Sequence, residues 1–168
     1  MRLFRYLIFV GLFLCLLGAC ERDDLCSAGI PKTPNLVLRF LDANITNDFK
    51  TVPGLRVVYP EVNDSLPANG GTFANDSIGI PLPTGLGEFT TTIVMVKDAA
   101  NANLRNPDTI DIRYLAQEVF ISKACGFKNE FILQQITVRN DNDNWIRNLL
   151  ITNDTIQNEF QAAVRIFH

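Results

Sequence analysis

Thr109-Ile110-Asp111-Ile112-Arg113-Tyr114 decides the fold class of this chain. Its apolar side chains recur at every second position. In a pleated strand that period puts Ile110, Ile112 and Tyr114 on one face and Asp111 and Arg113 on the other. A helix would scatter the same residues around its axis. The period continues outward from here. Leu36, Leu38 and Phe40 share a face with Arg39 opposite, and Leu55, Val57 and Tyr59 repeat the arrangement. Asp76–Pro83 reads as a short strand that its prolines confine to a sheet edge. Phe89–Val96 carries Thr90, Thr91, Thr92, Ile93 and Val94, β-branched residues that suit a pleated surface. Val119–Lys123, Glu130–Val138 and Phe160–Phe167 complete the set, whereas Asn144–Leu150 also fits one helical turn.

The eight prolines all lie between Pro31 and Pro107, and Gly126 is the one glycine beyond residue 107. The first part therefore reads as strands joined by long loops and the second as a tighter antiparallel meander. Seven or eight short strands with almost no helix predict an all-β fold. The expected architecture is a single antiparallel β-sandwich, immunoglobulin- or transthyretin-like, over residues 35–168; a barrel is the alternative. A chain of 168 residues is long enough for one core, and nothing divides that region further.

The N-terminus carries an address. Met1-Arg2-Leu3-Phe4-Arg5 is followed by the apolar run Tyr6–Leu17 and by Leu17-Gly18-Ala19-Cys20. A cationic start, an apolar stretch and small residues before a cut make a secretory signal. The run is too short to span a bilayer, which takes about 20 residues. Because the cut falls before a cysteine, the segment resembles the lipobox of bacterial lipoproteins. The resemblance implies a signal peptide over 1–19, lipidation of Cys20, and a lipid anchor and tether over 20–34. Cys20-Glu21-Arg22-Asp23-Asp24 is similar to the export signal of Bacteroidetes surface lipoproteins, so the expected location is the outer-membrane surface, with a periplasm-facing domain as the alternative.

Cleavage would remove Arg2 and Arg5 and leave a net charge two units more negative than the full chain's −3. That balance opposes nucleic-acid binding, which needs clustered Lys and Arg. It also leaves membrane attachment to the lipid. Of four cysteines, Cys15 departs with the signal and Cys20 is consumed by lipid, leaving Cys26 and Cys125. Outside the cytoplasm such a pair predicts a disulfide. Two cysteines lack the further ligands zinc needs, so no metal is expected.

The order of features resembles a group of small Bacteroidetes lipoproteins known only as a domain of unknown function. The resembling pieces are the acidic stretch after Cys20, Asp24-Leu25-Cys26, Thr33-Pro34 before Leu36–Phe40, Ile80-Pro81-Leu82, Asp108–Tyr114, and Ser122 ahead of Cys125-Gly126-Phe127. The resemblance implies an envelope lipoprotein and carries no catalytic or binding residues.

Chemistry is sparse. No Gly-x-Ser-x-Gly elbow or phosphate-binding glycine loop occurs, and the one histidine is His168. Carboxylates such as Asp108 with Asp111, or Glu118 with Glu130, are the remaining route to hydrolysis, and a solvated surface explains them better. Asn140-Asp141-Asn142-Asp143-Asn144 fails the calcium-loop pattern and reads as a polar hairpin turn. Trp145 either stacks on a sugar or peptide or packs over the core. Asp64-Ser65-Leu66, Asp76-Ser77-Ile78, Asp108-Thr109-Ile110 and Asp154-Thr155-Ile156 resemble the O-glycosylation sequon of Bacteroidetes, making Ser65, Ser77, Thr109 and Thr155 candidates. The expectation is a non-enzymatic binding or structural module without a cofactor, serving an unidentified envelope protein or glycan. The alternatives are a substrate-capture lipoprotein for glycan or peptide, and a hydrolase with an unrecognised carboxylate site.

Overall fold

The computed structural model describes residues 25–26, 29–45, 47–67 and 71–168, so Cys20 and its acidic neighbours lie outside the described residues. Those described are all-β, in two sheets that pack face to face as a sandwich. The strands are β1 (Leu36–Leu41), β2 (Arg56–Tyr59), β3 (Asp64–Leu66), β4 (Ser77–Ile80), β5 (Gly87–Lys97), β6 (Asn106–Ser122), β7 (Gly126–Val138), β8 (Asn148–Ile151), β9 (Thr155–Ile156) and β10 (Val164–Phe167). One sheet has the order β4-β1-β10-β8 and the other β3-β2-β5-β6-β7-β9.

The deciding stretch lies within β6. Ile110, Ile112 and Tyr114 are fully buried, and Asp111 and Arg113 face the other way. β5 pairs antiparallel with β6 from Gly87 opposite Ala116 to Lys97 opposite Asn106. Opposite them, Leu36, Leu38 and Phe40 of β1 and Val164 and Ile166 of β10 supply the other wall of the core. Tyr114 stacks on Phe89 and meets Phe131 edge to face at 5.5 Å between centroids. Its hydroxyl donates to the Pro83 carbonyl at 2.9 Å, so the largest fully buried side chain leaves no stranded polar atom.

The expected strands are present, although the last covers only Val164–Phe167 instead of Phe160–Phe167 and the short β3 and β9 are additional; three larger differences stand out. Thr109–Tyr114 and Val119–Lys123 form one 17-residue strand, because nothing between them breaks the ladder. The ambiguous Asn144–Leu150 resolves into an extended turn and β8, where pairing with β10 outweighs a single uncapped helical turn. The third difference is a parallel pair: β1 runs alongside β10, with Leu38 opposite Val164 and Leu41 opposite Phe167. β4, marked by Pro81 and Pro83, is an edge strand as its prolines predict.

The residues group into two compact units. The larger comprises Pro31–Val119 and Lys128–His168. It starts a few residues before position 35: Pro34 is buried, and Thr33 Oγ1 accepts the Asn129 N–H at 2.9 Å. The smaller contains the described residues up to Ile30 together with Phe120–Phe127. Here Cys26 and Cys125 are joined, with Cα atoms 4.9 Å apart, as their isolation in the sequence predicts. The Cys125 N–H donates to Ser122 Oγ at 3.1 Å across the turn between β6 and β7.

Candidate binding groove

β9 pairs with β7 only at Phe131 and Ile132, so the rest of β7 forms a sheet edge. β8 is the edge of the facing sheet. Between these edges lies an open groove of about 370 Å³. Ile136 and Val138 of β7 with Ile146 and Leu149 supply apolar surface, while Asn140, Asn144, Arg147 and Asn148 supply amides and a guanidinium. Strand alternation explains the mixture, because at a sandwich edge inward apolar residues and outward polar ones come within reach of the same ligand. The arrangement suits hydrogen bonding along an extended peptide or to sugar hydroxyls, with Arg147 favouring a carboxylate.

The asparagine-rich turn bordering the groove is tied together by its own side chains. Asn140 Oδ1 accepts the Asn142 N–H at 3.1 Å, Asp141 Oδ1 that of Asp143 at 3.3 Å, and Asn144 Oδ1 that of Asp141 at 3.3 Å. Asn142 adopts φ 74°, a left-handed conformation that asparagine tolerates well. These oxygens thus serve as turn caps. Among the described residues there is no group of three or more His, Cys, Asp or Glu arranged for a metal ion.

Trp145 packs in the core, 6% exposed, with Nε1 donating to the Met95 carbonyl at 3.2 Å. It is not a stacking platform. Its position depends on Asp108, which is completely buried and accepts the N–H groups of Ile146 at 2.8 Å and Trp145 at 3.4 Å. Burial raises the Asp108 pKa, and the two N–H donors oppose that rise. Asp108 therefore locks the chain entering β8. In the sequence it stands as half of a carboxylate pair with Asp111, yet its parity with Ile110, Ile112 and Tyr114 marks it as an inward-facing acid.

Asp108 and Asp111 do not come together as a carboxylate pair. Asp108 and Asp111 project to opposite faces of β6. Asp111 receives Arg139 at 2.7 Å through both Nε and Nη2 and the Thr92 hydroxyl at 2.8 Å. That bidentate guanidinium holds its carboxyl below the usual range. Glu130 is bound to the Lys128 ammonium at 2.7 Å, and Glu118 is exposed. His168 is not frayed: its ring packs edge-on against Phe40 and Trp145, and burial lowers its pKa.

Of the sequon hydroxyls, Thr155 is exposed, while Ser65, Ser77 and Thr109 are half-buried. The Thr155 hydroxyl donates to the carboxylate of its own sequon's Asp154 at 3.0 Å. In the Thr109 sequon the acid is the buried Asp108.

Residues 55–168 match the model of a family of unknown function, DUF6452. The chain belongs to the DUF6452 family. The DUF6452 segment takes in β2 to β10, and with them the groove, Asp108 and Cys125, while β1 and Cys26 precede it. The disulfide therefore ties the family segment to a residue outside it. No curated protein and no solved structure matches the chain.

Proposed function

We propose that this DUF6452 member is a Bacteroidetes envelope lipoprotein, held by lipid on Cys20 at the outer membrane and acting as a non-catalytic binding or structural module. The observation that carries the export half is the Cys26–Cys125 disulfide. Such bonds persist in oxidising compartments and are rare in a reducing cytosol. The lipobox and the acidic Cys20–Asp24 stretch supply the anchor and the outward direction. Protease added to intact cells tests the orientation. Digestion that spares periplasmic controls supports surface display, and full protection refutes it. Replacing Arg22, Asp23 and Asp24 by alanine should convert an exposed domain into a protected one without loss of lipid.

A substrate-capture role is a second reading, favoured by the amide-lined groove between β7 and β8. Titration with oligosaccharides and with acidic peptides, followed by NMR, discriminates between ligand classes. Selective shifts of the Asn140, Asn144 and Asn148 side-chain amides at millimolar ligand support capture. A spectrum unmoved by either class removes it.

A further inference from the structure

The smaller unit carries an apolar surface that the binding groove does not use. Phe120 closes on Phe127 with ring centroids 5.3 Å apart, across the turn that holds Cys125. Unlike the other ring pairs among the described residues, both rings are mostly exposed, Phe120 at 57% and Phe127 at 63%. Leu25, next to the disulfide partner Cys26, is 84% exposed. Ile45, Val62, Leu86, Leu104 and Phe160 are also exposed, and Phe49 lies under the Arg39 guanidinium; exposed apolar side chains of this kind are ordinary on a protein surface. Paired open rings are not.

We infer that the Phe120–Phe127 turn rests on the lipid surface to which Cys20 is anchored; the inference depends on the lipoprotein reading above. Three observations select a bilayer as the occupant. The first is reach: a chain of six residues from Cys20 to Cys26 spans at most about 20 Å. The disulfide then places the Cys125 Cα only 4.9 Å further on. The second is charge. From Phe120 to Phe127 the turn carries Lys123 and no carboxylate, in a chain of net charge −3. Contact with headgroups therefore desolvates no acid there and offers an ammonium to phosphate. The third is side-chain type. Aromatic and leucine side chains suit the boundary between headgroups and acyl chains. Glu21-Arg22-Asp23-Asp24 offers no apolar side chain, so apolar contact falls to the turn. Once the lipid is inserted, the leash keeps the rings at high effective concentration over the bilayer, and a weak contact suffices.

Lipidated protein, purified from a Gram-negative host and placed in nanodiscs with gadolinium-chelating headgroups, tests this by NMR. Amide signals of residues 120–127 should broaden at least threefold more than those of the 140–144 turn. The Phe120→Ser/Phe127→Ser variant should lose most of that difference while intact mass still shows acyl chains on Cys20 and an unchanged disulfide. Acylated protein whose turn broadens no more than residues 140–144 overturns this inference and leaves the anchor standing. So does protection of the rings by a second copy, seen as loading-dependent contacts in mixed-isotope samples. A mass without acyl chains removes the lipoprotein reading and this inference with it.

Discussion

Replacing Asp108 with alanine should unfasten the chain leading into β8. The carboxylate is fully buried and accepts two backbone donors, Ile146 N–H at 2.8 Å and Trp145 N–H at 3.4 Å. Truncation leaves both donors in a dry site. An unsatisfied buried donor costs about 1–3 kcal/mol, and the shorter contact should account for most of the loss. Removing a buried carboxyl also relieves its desolvation, so the net destabilisation should be about 3 kcal/mol rather than the sum of two full penalties. For a domain of this size that corresponds to a melting temperature roughly 6–12 °C lower. Thermal unfolding followed by near-ultraviolet circular dichroism is a suitable assay, because Trp145 lies against the affected segment. The pH dependence adds an independent check. Burial raises the folded pKa above the ordinary 3.8, so folding retains a proton that the unfolded chain releases. The stabilisation from that retained proton is complete below pH 3.8 and is lost as pH rises through the folded value. Asp108→Asn keeps a neutral acceptor, so the gap between parent and this variant should narrow as pH rises. A melting temperature for Asp108→Ala within 1 °C of the parent would refute the lock.

Further predictions follow from particular contacts. Replacing Cys26 and Cys125 together by alanine opens a loop spanning 99 residues and should lower stability by about 2–4 kcal/mol, measured by urea unfolding; an unchanged midpoint counts against a structural role. Glu130→Gln strips the charge from the partner of the nearly buried Lys128 and should cost about 2 kcal/mol in the same assay, whereas a neutral outcome means the pair is solvated. Burial lowers the His168 pKa below 6.5, so its contribution is complete above pH 6.5 and is lost as pH falls through the folded value. His168→Phe should flatten the stability profile in that window; a slope equal to the parent's contradicts the burial account. In a host with the matching O-glycosylation system, peptide mapping should find glycan first on the exposed Thr155, and modification confined to half-buried Thr109 would reverse the accessibility argument.

The sandwich was legible because period-2 alternation records which side chains face the core. Ile110, Ile112 and Tyr114 are buried where the pattern puts them, and Pro81 and Pro83 mark an edge strand because proline cannot donate to a ladder. The parallel β1–β10 pair was not legible, since pairing partners distant in sequence leave no local signature. β3 and β9, of three and two residues, are too short for a period to register. The disulfide was readable from compartment and cysteine count. The groove was not, because it forms where two sheet edges meet and its Asn140, Asn144 and Asn148 look like ordinary turn and strand-end residues. The alternation left Trp145 open to stacking on a ligand as well as to packing over the core, and the Met95 carbonyl and the Asp108 lock fix it in the core.

Metabolic labelling with an alkyne fatty acid is the most direct test of the proposed lipid on Cys20, on which the envelope attachment of this DUF6452 domain rests. Expressed in a Gram-negative host, the parent chain should take up label, and its intact mass should equal residues 20–168 plus acyl groups. Cys20→Ala should take up none and retain its signal segment. Equal labelling of the two chains, or a parent mass matching the unmodified polypeptide, would contradict the account.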